Sequence, residues 1–224
     1  MGLLREEWRR IAAGVAVAWR TGGGWRGLWL GVVCAALVLM FSYGQQSPGG
    51  AEAIERLGVV RGTLPLPTAL ARTPLSMFVP APDLPSWGAV LQVLVAFGLG
   101  GLALGAWRTL AVALVATVAG TLYVRLGVWL GPDVPFGLAE SAAHVRDTGP
   151  SAAVVGIALA LAWQWRSRAL MVLVPGVMLL ELIVEPNLAG RQHLVGIAAA
   201  LVWLWLTRRS ASAPRGSGRS RRSG

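Results

Sequence analysis

Six apolar segments, separated by short polar stretches, are the main feature of the hydrophobic pattern. They lie at about residues 27–43, 87–107, 109–130, 151–165, 169–184 and 192–206. A helix needs about 20 residues to cross ~30 Å of hydrocarbon, because each residue adds only ~1.5 Å. The second and third segments meet this length alone, and the other four need flanking residues. Apolar residues run continuously instead of alternating with polar ones, so we expect helices and not barrel strands. The pattern predicts an all-α, polytopic membrane protein with six transmembrane helices.

The composition and the placement of charge extend this prediction. Of the 224 residues, 55% are hydrophobic and 13% are charged, and the net charge is +10 with every basic residue an arginine. Soluble domains usually carry about 25% charged residues. With the N-terminus inside, fourteen of the 20 basic residues fall in cytoplasmic segments, and the six outer ones are Arg56, Arg61, Arg72, Arg125, Arg146 and Arg191. Because arginine accumulates on the cytoplasmic side, we expect a multi-pass protein of the cell membrane with both termini cytoplasmic.

The same charge bears on partners and origin. Arginine side chains at the inner leaflet contact anionic headgroups, so contact with the lipid bilayer explains the net positive charge. We therefore expect no specific nucleic-acid partner. An arginine-only, alanine- and glycine-rich chain suggests a GC-rich bacterial genome. Cys34, the single cysteine, lies in an apolar run and has no partner cysteine for a disulfide or a metal site. We predict no metal, nucleotide-binding loop or organic cofactor.

Three regions follow from the pattern. Residues 1–26 could form an amphipathic cytoplasmic helix that ends at the Gly22-Gly23-Gly24 run. Residues 27–206 form the six-helix membrane domain, whose longest outer loop is 44–86. That loop is apolar but broken by prolines, so we expect it to lie partly in the outer interface without spanning. Residues 207–224 are rich in Ser, Gly and Arg and are predicted to be a disordered, basic cytoplasmic tail.

Two polar residues in the apolar segments lie at matching depth. Under this topology the fourth and sixth segments both run from outside to inside. Ser151 lies 15 residues before Arg166, and His193 lies 15 residues before Arg208. If each arginine marks the inner interface, both side chains lie ~22 Å above it, which is below the outer surface of a ~30 Å core. We therefore predict that Ser151 and His193 form a pair.

A serine beside a histidine, in a site open to the outside but sunk in the membrane, is suited to nucleophilic acyl chemistry. His193 would take the proton of the Ser151 hydroxyl as a general base, and backbone N–H groups at the start of the fourth segment would stabilise an oxyanion. The structural interpretation stays open for the serine, because serine at a helix start is often a cap or a packing residue. A membrane histidine is costly and tends to be functional.

These residues resemble the rhomboid family of intramembrane serine proteases, especially the divergent rhomboid-like membrane proteins of actinobacteria. The resemblance consists of six spans with both ends inside, Gly149-Pro150-Ser151-Ala152 opening the fourth span, and His193-Leu194-Val195-Gly196 in the sixth. It covers roughly residues 60–206. It implies that Ser151 is the nucleophile and His193 the base, with Gly149 shaping the turn and Gly196 allowing close helix contact. It further implies a rhomboid-like bundle that cleaves single-span membrane proteins near the outer surface.

The same resemblance leaves two functions open. Active rhomboids usually carry a His and an Asn four residues apart in the second span, where they help to hold the oxyanion, whereas here Gln92 is the only amide of that span. The chain could therefore be a serine intramembrane protease or a noncatalytic rhomboid-like protein that binds other transmembrane helices. A transporter or channel subunit is a third class, but it would need charges in mid-span or an inverted repeat, and neither is evident.

Overall fold

The computed structural model of the protein describes residues 2–81 and 85–212. Within these ranges the chain is helical, without a named strand. The α-helices are α1 (Gly2–Thr21), α2 (Trp29–Gly44), α3 (Pro48–Gly58), α4 (Leu66–Ser76), α5 (Ser86–Leu104), α6 (Ala106–Leu130), α7 (Ser151–Gln164), α8 (Arg168–Val184) and α9 (Leu188–Ser212). Two short 3₁₀ turns lie at Gly24–Leu28 and Glu140–His144. The predicted all-α class is confirmed.

Each of the six predicted apolar segments corresponds to one helix, namely α2, α5, α6, α7, α8 and α9. Three stretches are long and apolar enough to cross a membrane: Gly24–Gly44, Ser86–Leu104 and Ala106–Leu130. Helix α7 is apolar but shorter. Helices α8 and α9 are shorter or more polar, so the crossing of all six segments stays a prediction.

Helix α7 is the centre of the bundle. It packs against α5, α6, α8 and α9, and Ala153, Ile157, Leu159 and Ala160 on it are fully buried. Its 14 residues span only ~21 Å, and the neighbouring helices enclose it. Helix α7 is therefore shorter than each of the four helices that it contacts.

The two sides of α7 differ in packing. On one side α2 lies close to α5, because Gly31 leaves no atom that would collide with Gly98 and the α5 backbone. On the other side α6 and α9 pack together. Helix α8 lies at the edge, contacts mainly α7 and α9, and has no buried residue.

The structure departs from the predictions in the connection 44–86. Two short helices, α3 and α4, occupy much of what was predicted to be a proline-broken loop. Pro48 and Pro67 lie in the first turns of these helices, where a helix does not need their missing N–H. The Ser47 side chain also caps α3 by accepting a hydrogen bond from the Gly50 N–H. Proline therefore starts these helices instead of preventing them.

The last helix is longer than predicted at both ends. It begins at Leu188, before the apolar run, because Asn187 Oδ1 accepts a hydrogen bond from the Gly190 N–H at 2.7 Å and so caps the helix. It continues to Ser212, so the predicted disordered tail begins too early at residue 207. The rest of that predicted tail, from residue 213, lies outside the described residues.

Candidate active site

Ser151 and His193 are in direct contact. Ser151 is the first residue of α7 and His193 lies in the first turns of α9. The Ser151 Oγ and His193 Nε2 atoms are 2.9 Å apart, which is hydrogen-bond distance. His193 is buried at 7% exposure, and Ser151 is partly accessible. The structure thus brings together the two residues that the depth comparison paired.

The other nitrogen of the imidazole has no partner. His193 Nδ1 is buried and makes no hydrogen bond within the described part of the chain. With the proton on Nδ1, Nε2 accepts the Ser151 hydroxyl proton, which is the arrangement that a general base requires. No carboxylate bonds to Nδ1 as the third member of a triad would. Packing and the hydrogen bond with Ser151 therefore orient this ring, and the arrangement is that of a Ser-His pair without a third member.

The backbone before Ser151 adopts a conformation that needs glycine. Gly149 has φ of 120°, in the region that side chains rarely enter, and its N–H donates to Ser76 O at 3.0 Å. Pro150 follows and starts the helix. This turn sets where α7 begins and hence where the Ser151 hydroxyl lies, which is the role expected for Gly149.

Gly196 lets α9 approach α6 closely. A Cβ at this position would lie 3.1 Å from Ala116 O, which is closer than ordinary packing, and 3.5 Å from Ala116 Cβ. Ala116 itself is fully buried. The close approach holds the first turns of α9, with His193, against α6 and beside α7, which is the role expected for Gly196.

A small cavity opens beside the pair. It encloses about 100 Å³ and is lined by Ser151, His193, Ser76, Thr117, Asp147 and Gln192 among others. A water molecule needs about 10–15 Å³ of such volume and two to four polar partners. The cavity therefore has room for a hydrolytic water beside the nucleophile.

A half-buried carboxylate that the sequence did not indicate joins the elements of the site. Asp147 lies four residues before Ser151, and its two carboxylate oxygens accept hydrogen bonds from Thr121 Oγ1 at 2.7 Å and Gln192 Nε2 at 2.8 Å. Its backbone N–H donates to Val60 O at 2.9 Å. Burial raises the pKa of Asp147, and the hydrogen bonds from Thr121 and Gln192 and the charge of Arg125 act against this rise.

This carboxylate ties the serine to the histidine. Thr121 belongs to α6 and Gln192 precedes His193 in α9, while Asp147 belongs to the segment that leads into α7. The Asp147 side chain thus connects the segment before Ser151 with the residue before His193 and with helix α6. No spacing or motif in the sequence pairs Asp147 with Gln192, because 45 residues separate them. Their position next to Ser151 and His193 was the only available signal.

The cavity offers both side-chain and backbone donors for an oxyanion. Arg146 lines it, and its buried Nε has no hydrogen-bond partner among the described residues. Gln92 does not line the cavity. The hydroxyls of Ser76 and Thr117 do line it, but they already donate to Thr73 O at 3.0 Å and Ala113 O at 2.8 Å. In α7 the first intrahelical bond runs from the Val154 N–H to Pro150 O at 2.8 Å. The N–H groups of residues 151–153 precede that bond, as at any helix start, so they are the donors that α7 offers.

Comparisons of the chain with models of protein families, with curated proteins and with solved structures found no match. Its function is therefore inferred from the site itself.

Proposed function

We propose that this protein is a rhomboid-like, multi-pass membrane protein that acts as a serine intramembrane protease through Ser151 and His193. The observation that carries the proposal is the 2.9 Å contact between Ser151 Oγ and His193 Nε2. That contact lies at the start of a short helix enclosed by longer ones, next to a cavity that can hold water. The six apolar segments of the sequence and its predicted cytoplasmic arginine bias support a position of the pair below the outer membrane surface.

The reaction uses the dyad twice. His193 Nε2 takes the proton of the Ser151 hydroxyl as Oγ attacks the carbonyl carbon of a substrate peptide bond, and the α7 N–H groups stabilise the oxyanion. The C–N bond then breaks, and the protonated imidazole gives its proton to the leaving amine. A water in the cavity loses a proton to His193 and attacks the acyl carbon, and Ser151 leaves with that proton. The products are two peptides and the free enzyme.

The proposal is tested first by active-site labelling. The protein in detergent or bilayer is treated with a fluorescent fluorophosphonate, and wild type is compared with Ser151→Ala and His193→Ala. Both substitutions should abolish labelling, because the hydroxyl needs the base to be nucleophilic. Ser141→Ala and His144→Ala are matched controls, since both residues are exposed in the connection between α6 and α7. Absence of labelling in folded wild type, beside a labelled serine protease, would reject the enzyme.

The topology is tested separately with cysteines. Cys34 is the single cysteine, so Cys34→Ser provides a background without thiols. Ser141→Cys should react with an impermeant maleimide from outside intact cells, and Thr207→Cys should react only after the cells are opened. Reaction of both positions from the same side would contradict the three spans predicted between residues 141 and 207.

A noncatalytic rhomboid-like helix binder is the second candidate. The unpartnered His193 Nδ1 favours it, because no described carboxylate bonds to that nitrogen. In that case crosslinking to a single-span protein would survive Ser151→Ala but fall with Leu91→Ala and Val95→Ala, which alter the exposed face of α5. Labelling that depends on Ser151 would exclude this candidate.

A further inference from the structure

A second cavity lies at the opposite end of α7 and α9 from Ser151. It encloses about 280 Å³ between the start of α6, the end of α7 and the last turns of α9. Arg108, Arg166 and Arg208 line it, one from each of these three places. Three guanidinium groups that are distant in sequence therefore converge on one space.

The described residues that line this cavity include no Asp or Glu. Within the described residues, the Arg108 and Arg166 side chains form no ion pair. Arg108 also lies in the first turn of α6, at the positive end of the helix dipole, where a cation is unfavourable. Like charges gathered this way repel one another unless an anion binds between them.

The walls of the cavity fit an amphiphile better than a free ion. Arg208 lies over the Trp163 indole, with its guanidinium carbon 5.6 Å from the ring centroid, so a cation–π contact orients it. Trp203 is a second aromatic wall, and tryptophan is typical of the headgroup level of membranes. Val112 and Leu204 continue the lining with apolar surface. An amphiphile would place its phosphate among the arginines and its acyl chains along this apolar surface.

We propose that the cavity of Arg108, Arg166 and Arg208 binds the phosphate headgroup of an anionic glycerophospholipid of the inner leaflet. Guanidinium groups bind phosphate oxygens through two parallel hydrogen bonds, and basic pockets between helices on the cytoplasmic side are suited to such headgroups. The site requires the protein to lie in a membrane but is independent of any reaction at Ser151.

The test uses the full-length protein extracted from bilayers of equal parts phosphatidylglycerol and phosphatidylcholine. Native mass spectrometry counts the lipids that stay bound. Wild type should retain phosphatidylglycerol over phosphatidylcholine by about tenfold or more, and Arg108→Gln/Arg166→Gln/Arg208→Gln should lose this preference. The matched control is Arg5→Gln/Arg9→Gln/Arg26→Gln, which removes the same charge from predicted cytoplasmic positions outside the cavity and should keep the preference.

Two comparisons decide whether the proposal fails and whether the ligand is a lipid or free phosphate. Equal retention of both lipids by wild type, or equal losses in the cavity variant and the control, would overturn the proposal even if a triple variant folded poorly. In phosphatidylcholine alone, inorganic phosphate should not raise the melting temperature of wild type, whereas added phosphatidylglycerol should. Protection by phosphate that depends on the three arginines would mean that the site takes the free anion, and the lipid assignment would be wrong.

Discussion

The two ends of the α7–α9 helix pair are built differently. At one end Ser151 contacts His193 through one hydrogen bond of 2.9 Å, and the neighbouring half-buried carboxylate of Asp147 accepts hydrogen bonds on both oxygens. At the other end Arg208 lies over Trp163 at 5.6 Å, and the arginines around it are exposed. Buried hydrogen bonds fix positions within tenths of an ångström, whereas exposed cations tolerate movement. The first end suits chemistry at a defined atom, and the second suits attraction of a mobile anion.

The largest expected effect separates the two ends completely. Ser151→Ala should lower the rate of cleavage of a model single-span substrate in proteoliposomes by about 10³-fold or more, since the covalent route is lost. The same variant should keep the preference of wild type for phosphatidylglycerol, because its change lies at the other end of α7. Substrate cleavage by Ser151→Ala at the wild-type rate would assign any proteolysis to another protein in the preparation.

The next effect tests whether Asp147 positions the dyad. Asp147→Asn replaces one hydrogen-bond acceptor with a donor against Thr121 or Gln192, and bonds to a charged group contribute about 1.5–3 kcal/mol. We expect the fluorophosphonate labelling rate to fall roughly tenfold to a hundredfold. The double variant Asp147→Asn/Gln192→Glu exchanges carboxylate and amide, so it should restore most of the rate.

The double variant Asp147→Asn/Gln192→Glu also distinguishes a positioning role of Asp147 from direct contact with the substrate. If Asp147 acts only by joining the flanks of Ser151 and His193, the double variant recovers labelling by a small probe and cleavage of a large substrate alike. Recovery of labelling without recovery of cleavage would mean that the negative charge at residue 147 contacts the substrate. Failure of both, with each single variant folded, would contradict a positioning role.

Most of the long helices were predictable, because a continuous apolar run of this length indicates a helix that is buried in a membrane or a protein core. The six segments map onto six helices, and the equal spacing of Ser151 and His193 from their arginines anticipated the contact. Helix starts were predicted less well. Asn187 begins α9 in a polar stretch, and Pro48 begins α3 in a connection that was predicted only to be too interrupted to span. Both depend on capping chemistry that an apolar window does not detect.

The Asp147–Gln192 bond shows what the sequence could not supply. Its partners come from separate elements, and their pairing depends on how the segment before α7 folds against α6 and α9. In that fold Val60 pairs with Asp147 between two connecting segments, and this pairing involves no periodic pattern. Counting residues from an arginine gives the depth of a residue along its helix. It does not predict which side chain of a loop packs into the site.

A third prediction concerns the close contact of α9 with α6, which supports the serine end. Gly196→Val should destabilise the protein by about 1–3 kcal/mol, because the added side chain has no space beside Ala116. Ala198→Val is the matched control, since Ala198 is exposed two residues further along the same helix. Thermal unfolding in one detergent measures both. Equal melting temperatures for the two variants would mean that α9 can shift without cost.

The smallest effect belongs to the arginine end, where Glu7 of α1 caps α8. Glu7 Oε2 accepts hydrogen bonds from Ser167 Oγ at 2.8 Å and the Ala169 N–H at 3.3 Å. The bond from Ser167, followed by the Ala169 N–H and the charges of Arg10 and Arg168, lowers the pKa of Glu7 below its ordinary 4.5, against a smaller opposing effect of burial. A lowered pKa in the folded state means that this contact stabilises fully above about pH 4.5 and is lost as the pH falls through the lower, folded-state value.

This pH dependence can be measured as a distance. Spin labels at Ala12→Cys and Val172→Cys in a Cys34→Ser background report on α1 relative to α8. The distance distribution should be narrow at neutral pH and broaden below about pH 4.5, whereas Glu7→Gln should broaden it modestly at every pH and remove the dependence. Glu6→Gln should behave as wild type, because Glu6 pairs with Arg10 on its own helix. A narrow distribution in Glu7→Gln would show that apolar packing alone holds α1. The hydrogen bond between Glu7 and Ser167 would then have no measurable effect on the position of α1, unlike the bonds that Asp147 accepts at the serine end.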